Sequence, residues 1–262
     1  MFLLDVALTL ILFLLGVSVG SFLNVVADRV PAGKSIIRPP SHCFKCGHEL
    51  EPRDLFPIVS YLLLKGKCRY CGQSFTARSM LVELATGLLF ALAFFSFGLS
   101  WQFAAGIIFG SFYIVLFITS LEQGVLPNVI MYPGIALALA FSLSNPLTGI
   151  RPDFIDCAAG FGVSFGLFFL LWAVPHLLKK NVPGFGDVGM AGLVGASTGF
   201  PQILVALCIA LVSGALTAAL LPLLRPGKFN GPMQFGPFLA AAGLITLFWG
   251  NDILDGFLQI LR

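Results

Sequence analysis

The sequence predicts an all-α, polytopic membrane protein with about eight transmembrane helices and one small soluble insertion between the first two. Composition is the first ground. Of the 262 residues, 58% are hydrophobic and 10% charged, and the mean hydropathy is +0.96, which a water-soluble chain of this length does not sustain. The second ground is length: the apolar runs recur near the roughly 20 residues that cross the hydrocarbon core as helix. The third is charge placement. If the runs alternate across the membrane, Arg29, Lys34, Arg38, Lys45, Arg53, Lys65, Lys67, Arg69, Arg78, Lys179, Lys180, Arg225 and Lys228 fall on one side, leaving Arg151 and Arg262 for the other. Short basic loops stay in the cytoplasm, so the N-terminus is expected outside.

In chain order the runs lie near 6–27, 81–98, 101–119, 128–143, 155–178, 188–200, 202–224 and 235–250. The first could be mistaken for a cleaved signal peptide, but it lacks a basic n-region and is followed by a basic loop rather than a small-residue cleavage site. The runs at 128–143 and 188–200 are short and rich in Gly and Pro, which predicts tilted, kinked or partly spanning helices. Three segments follow: a first transmembrane helix at 1–27, a cytoplasmic domain at 28–80, and the remaining helices at 81–262.

The 28–80 segment carries Cys43-x-x-Cys46 and Cys68-x-x-Cys71, separated by 21 residues and followed by Gly47 and Gly72. Two such pairs have the form of zinc knuckles aiming four thiolates at one tetrahedral ion. Two disulfides are the competing reading, disfavoured by a reducing cytoplasmic face. A four-thiolate site leaves no open position, so the zinc is expected to be structural, in a segment too small to fold on its own core. His42 and His48 flank the first knuckle as substitute ligands or bystanders. Lys34, Arg38, Arg53 and Arg69 could bind an anion or serve only as orientation determinants. Cys157 and Cys208, inside apolar runs, read as buried thiols.

Acidic residues in or beside apolar runs are costly and are functional suspects. Asp5 and Asp156 suit helix first turns, and Glu83 is expected in a first turn as well. Asp187 differs: it follows "PGFG" (183–186) and precedes a short Gly-rich run, where small residues admit a ligand close to the backbone.

The segments "GVSVGSFLNVVADRVP" (16–31), "RPPSHCFKCGHEL" (38–50), "PIVSYLLLKGKCRYCG" (57–72), "GFGD" (184–187) and "QFGPFLA" (234–240) resemble, in order, a bacterial type IV prepilin peptidase. That family is the bifunctional leader peptidase and N-methyltransferase. The resemblance implies cleavage of prepilin or pseudopilin leaders at the cytoplasmic face of the bacterial inner membrane by a Gly-x-Gly-Asp aspartic protease. It also implies methylation of the new N-terminus, usually phenylalanine, with S-adenosylmethionine. Zinc and S-adenosylmethionine are the implied cofactors, pilin precursors and the lipid bilayer the implied partners, and nucleic acid is not expected among them.

By resemblance Asp187 is the second carboxylate of a catalytic pair, and the first belongs seven residues before the proline of a Leu-Pro-Asn string. In "SLEQGVLPN" (120–128) that position holds Ser120. A hydroxyl cannot replace a carboxylate in acid–base work near neutral pH. Glu122, two residues on, is rotated by about 200° on a helix and should point almost opposite. The family string usually continues Gly-Asp-x-Lys, whereas this chain has Gly189. Ser120 is therefore either an inactivating substitution made on purpose or a natural loss of the peptidase, and the peptidase is expected to be lost or impaired.

Two other functions fit the residues. Eight helices with short broken segments also suit a transporter whose half-helix ends at Ser120 and Asp187 line a substrate site, although no internal repeat is evident. A methyltransferase without peptidase activity is the second. The 28–80 segment has no Gly-rich nucleotide fingerprint, so spacing does not place the methyl donor. Arg38, Glu83 and the zinc knuckle are the candidates for supporting it.

Overall fold

The computed structural model describes residues 2–144, 152–178, 184–224 and 234–260. Lys179, Lys180, Pro183, Arg225, Lys228, Arg151 and Arg262 lie outside the described residues. All the regular structure described is helical, in two compact units, Met1–Leu99 and Ser100–Arg262.

The first unit is built from α1 (Phe2–Arg29) and α3 (Arg78–Phe97), with the short helix α2 (Val59–Leu63) in the long connection between them. At a rise of 1.5 Å per residue, α1 is about 42 Å long and outlasts a hydrocarbon core of roughly 30 Å. The two long helices pack at backbone distance. A Cβ added to Gly16 would lie 2.7 Å from the Thr86 carbonyl oxygen, and one on Gly20 would lie 2.7 Å from the Glu83 Cα. From the other side, a Cβ on Gly87 would lie 2.8 Å from the Phe13 ring. Between apolar helices in lipid no hydrophobic gain separates partner from solvent, so close van der Waals packing between small residues drives association. Gly16→Leu should lower the thermal midpoint of purified protein markedly, at a cost of ~1–3 kcal/mol or more for overpacking. Ser18→Leu, on the exposed face of α1, should leave it nearly unchanged.

The second unit contains α4 (Trp101–Gln123), α5 (Asn128–Leu143), α6 (Phe154–Leu177), α7 (Gly186–Thr198), α8 (Gln202–Leu224) and α9 (Gly236–Ile260). Ser100 caps α4 by accepting from the Phe103 amide, and Asp153 caps α6 by accepting from the Asp156 amide. The short helix α7 is the core of this unit: every residue from Val188 to Thr198 is buried. Its glycines are the reason. Gly195 meets Gly160 and the Ser164 hydroxyl of α6, Gly192 meets Phe161, and Leu193 packs on Gly134 of α5. On α4, the buried Tyr113 hydroxyl hydrogen-bonds the Ser197 hydroxyl of α7, and Gly243 of α9 makes room for the Tyr113 ring.

Six helices, α1, α3, α4, α6, α8 and α9, are long and apolar enough to cross a membrane, and this is a multi-pass membrane protein. The two short runs expected from the sequence are α5, with Pro133 inside it, and α7, at 16 and 13 residues. Two expectations change. Helix α3 begins at Arg78, so Glu83 lies in its second turn rather than its first, and the helix dipole does not account for it. Cys208 is exposed on the outside of α8 rather than buried, because only one face of that helix packs inward; Cys157 is buried.

Candidate active site and metal centre

In the second unit the ends of three helices meet. Helix α4 ends at Gly124, whose amide bonds the Ser120 carbonyl, and Ser120 itself is 3% exposed. Its hydroxyl has no hydrogen-bond partner among the described residues. Gly236, the first residue of α9, lies directly against that hydroxyl: a Cβ at 236 would collide with Ser120 Oγ and would lie 3.0 Å from Leu126. The neighbouring Phe235 amide donates to Asp187 Oδ2 at 3.4 Å, and Gly236 supplies a second backbone donor. Gly186, just before Asp187, approaches Leu126 as closely as a backbone can, with a Cβ there 2.9 Å from Leu126 Cβ. Gln234 ties the same turn to α4 by donating to the Gly124 carbonyl at 3.1 Å.

Ser120 and Asp187 thus both pack against one turn, Phe235–Gly236. Glu122 is exposed, on the other face of α4. Gly189 is buried, and a Cβ on it would lie 3.1 Å from the Met131 methyl, so its surroundings are apolar. The role of Gln234, Phe235 and Gly236 as the link between positions 120 and 187 is not readable from spacing, since it joins chain segments more than a hundred residues apart.

In the first unit the two cysteine pairs form matching turns. Cys43 N donates to His48 O and Gly47 N to Cys43 O; Cys68 N donates to Gln73 O and Gly72 N to Cys68 O. Gly47 and Gly72 both sit at φ 69°, the left-handed conformation that closes each turn and that glycine takes without steric cost. Short antiparallel bridges, His42 to Glu49 and Lys67 to Ser74, clamp the turns. The four thiols lie within 4.8 Å of one another, with Cys43 and Cys71 sulfurs 3.7 Å apart, and none is in a disulfide. A tetrahedral ion with Zn–S bonds of about 2.3 Å needs sulfur edges of about 3.8 Å, so the donor set fits zinc.

The amides of Cys46 and Lys45 pull the Cys43 thiol down to about 6. The Gln73 amide acts in the same sense on Cys71, but desolvation and the neighbouring thiols push that group up to about 11. Four thiolates at this spacing repel one another, and only a cation lets all four ionise.

His42 and His48 are engaged elsewhere: His42 Nδ1 is 3.0 Å from the Pro40 carbonyl, and the His48 ring lies 3.6 Å from the Tyr70 ring centroid. Arg69 pairs with Asp54 at 2.7 Å, which holds that carboxyl below its usual range, and Arg53 pairs with Glu51 at 2.9 Å.

Beside the knuckles is a cavity of about 780 Å³, lined in part by Lys34, Cys68 and Glu83; Arg38 is not in its wall. Glu83 Oε2 accepts from the Ile58 amide at 2.7 Å, and Ile58 is held at φ 60°, a strained conformation for a β-branched residue.

Residues 14–97 match the bacterial peptidase A24 N-terminal domain, and residues 107–219 match the type IV leader peptidase family. A prepilin leader peptidase/N-methyltransferase of Pseudomonas aeruginosa is 33% identical, over 97% of this chain and 94% of its own length. Proteins of the same name from Xanthomonas campestris and Bacillus subtilis are each 30% identical, over 94% and 95% of this chain and 92% and 98% of their own lengths. No solved structure matches the chain. Matched in order in both units, and along nearly its whole length by relatives a third identical to it, the chain belongs to the type IV leader peptidase family.

Proposed function

We propose that this protein acts on prepilin or pseudopilin precursors, with a peptidase site in the second unit and an N-methyltransferase site in the first. The observation that carries the peptidase assignment is the packing of Ser120 and Asp187 against one turn, Phe235–Gly236. Cleavage of a peptide bond by paired carboxylates needs one ionised acid to take a proton from water and one protonated acid to donate to the carbonyl. Asp187 supplies one of the two acids. Its carboxylate accepts from amides at the start of α9, where the helix N-terminus favours negative charge. The position of its partner is 120, where a serine hydroxyl can donate a hydrogen bond but cannot act as a carboxylic acid. The peptidase of this chain is therefore impaired, and methyl transfer to an already cleaved N-terminus is retained.

Cys43, Cys46, Cys68 and Cys71 hold one structural zinc that orders the 28–80 domain. The cavity beside them, with its buried Glu83 and the unpartnered Asn24 Oδ1, is the place in the first unit for the methyl donor and the peptide amine. S-adenosylmethionine, when bound, supplies an electrophilic methyl group; the residues around it orient the amine and exclude water. The distribution of basic residues supports a cytoplasmic side for both sites, and family membership supports the bacterial inner membrane, with 1–27 as the first transmembrane helix and 81–262 carrying the peptidase core. A labelled methyl donor and a synthetic peptide beginning with phenylalanine test the transferase, with label expected in the peptide. Absence of transfer by fully zinc-loaded protein would overturn it.

A further inference from the structure

Three carboxylates line the first-unit cavity: Asp28, Asp54 and Glu83. Two are neutralised within the protein. Arg78 lies 2.5 Å from Asp28, and Arg69 lies 2.7 Å from Asp54. Glu83 is 7% exposed and is met only by neutral donors, the Ile58 amide and the Ser21 hydroxyl. Among the described residues no cationic side chain pairs with it. A buried carboxylate without a countercharge is costly unless a ligand brings one.

A second acceptor in the same wall is also unmatched. Asn24, 8% exposed, spends its amide donors on the Gly20 and Ser79 carbonyls, at 3.2 and 3.1 Å. That pair of bonds fixes which end of the amide is which, and leaves Asn24 Oδ1 buried with no donor. The site thus offers one uncompensated carboxylate and one neutral oxygen, while the nearby cations of the same lining, Arg78 beside Asp28 and Arg69 beside Asp54, are directed to other carboxylates. An ammonium group has three donors on a compact cation and answers both needs. A hard metal ion would want more oxygen ligands than these, and a single carboxylate does not supply them. Arg29, Lys34 and Lys67 elsewhere in the lining disfavour a bare cation there, so the Glu83–Asn24 wall is where an ammonium settles.

We propose that Glu83 and Asn24 form a binding site for the ammonium group of a reactant. Taking the first unit as the methyltransferase, on which the choice of ligands rests, two reactants carry such a group: the free N-terminus of the cleaved peptide and the amino-acid end of the methyl donor. At about 780 Å³ the cavity has the size of a small-molecule or cofactor site.

The test is binding to the full-length, zinc-loaded protein, with four ligands: a phenylalanine-initiated peptide, its N-acetylated form, S-adenosylmethionine, and the donor analogue lacking the amino group. In the wild type, removing the ammonium from at least one reactant should weaken its binding about tenfold or more, the scale of a charge-assisted hydrogen bond. Glu83→Gln keeps an acceptor for the Ile58 amide and should weaken the intact ligand by the same factor, erasing its advantage over the blocked one. Loss in the peptide pair assigns the site to the acceptor amine, and loss in the donor pair to the methyl donor; either supports the proposal. Equal binding of free and blocked forms of both reactants by the wild type overturns it, and that comparison needs no variant to fold. So does a Glu83→Gln protein with normal zinc content that keeps both affinities within about twofold. Ammonium-dependent binding without methyl transfer would sink the transferase assignment and leave the site, whereas methyl transfer indifferent to Glu83→Gln would sink the site alone.

Discussion

Ser120→Asp is expected to raise cleavage of a prepilin peptide by roughly 10⁴-fold or more, because members of a cooperating catalytic set contribute on that scale. The packing at this position is close, and the carboxylate has to fit against backbone rather than against a side chain. Ser120 is buried with its hydroxyl unmatched, and the residue facing it is Gly236, which presents no side chain. Adding Asp187→Asn to the restored protein should abolish cleavage again. Glu122→Gln should alter the rate by less than about tenfold, since that side chain leaves the exposed face of α4. Gly236→Ala should undo much of the gain, because even a methyl group at 236 collides with position 120. The measurement is product formation by mass spectrometry with a substrate carrying its leader. If the unaltered chain cleaves at the rate of the restored one, position 120 is not the partner of Asp187.

The second large effect concerns the metal. Purified protein should contain one zinc per chain, and the double change Cys43→Ser, Cys46→Ser should remove it. Structural zinc contributes ~10–16 kcal/mol of binding free energy, and bound by these four cysteines it would tie the two turns together. Its loss should make the 28–80 segment protease-sensitive and abolish methyl transfer, while cleavage by the Ser120→Asp background persists. Occupancy should fall on acidification. Zinc requires all four thiolates, and protons compete with it for them as pH falls below neutral. Metal analysis after dialysis across that range reads the effect directly.

Much of the helical framework was legible because each apolar run is a physical ruler against the bilayer, and the two runs too short for it became α5 and α7. The cysteine cluster was legible because Cys-x-x-Cys-Gly encodes its own turn, so local spacing and three-dimensional position carry the same information. What could not be read was contact between helices. "GVSVG" at 16–20 lies inside a run whose hydropathy is the same whether its glycines face lipid or Thr86 and Glu83. Gly236 carries no chemical signature, and its significance appears only when Ser120 is seen beside it. Glu83 was assigned to a first turn because hydropathy marks the start of an apolar run, not of the helix, which begins at the polar Arg78.

The burial of α7 has a bearing on how the protein is made. Thirteen residues at 1.5 Å each give about 20 Å of helix, too short for the bilayer, and its glycines and Ser197–Thr198 make it a poor candidate for recognition by the insertion machinery on its own. It has no lipid-facing side, so it cannot wait in the membrane as an independent helix for its neighbours to arrive. Helix α6 precedes it during synthesis and offers Gly160 and Ser164 as its groove, while α9, which faces it through Gly243, is synthesised after it. The Asp187 carboxylate at the head of α7 therefore reaches its final surroundings only after α9 has been made, so this end of the helix stays unassembled until the rest of its unit is in place.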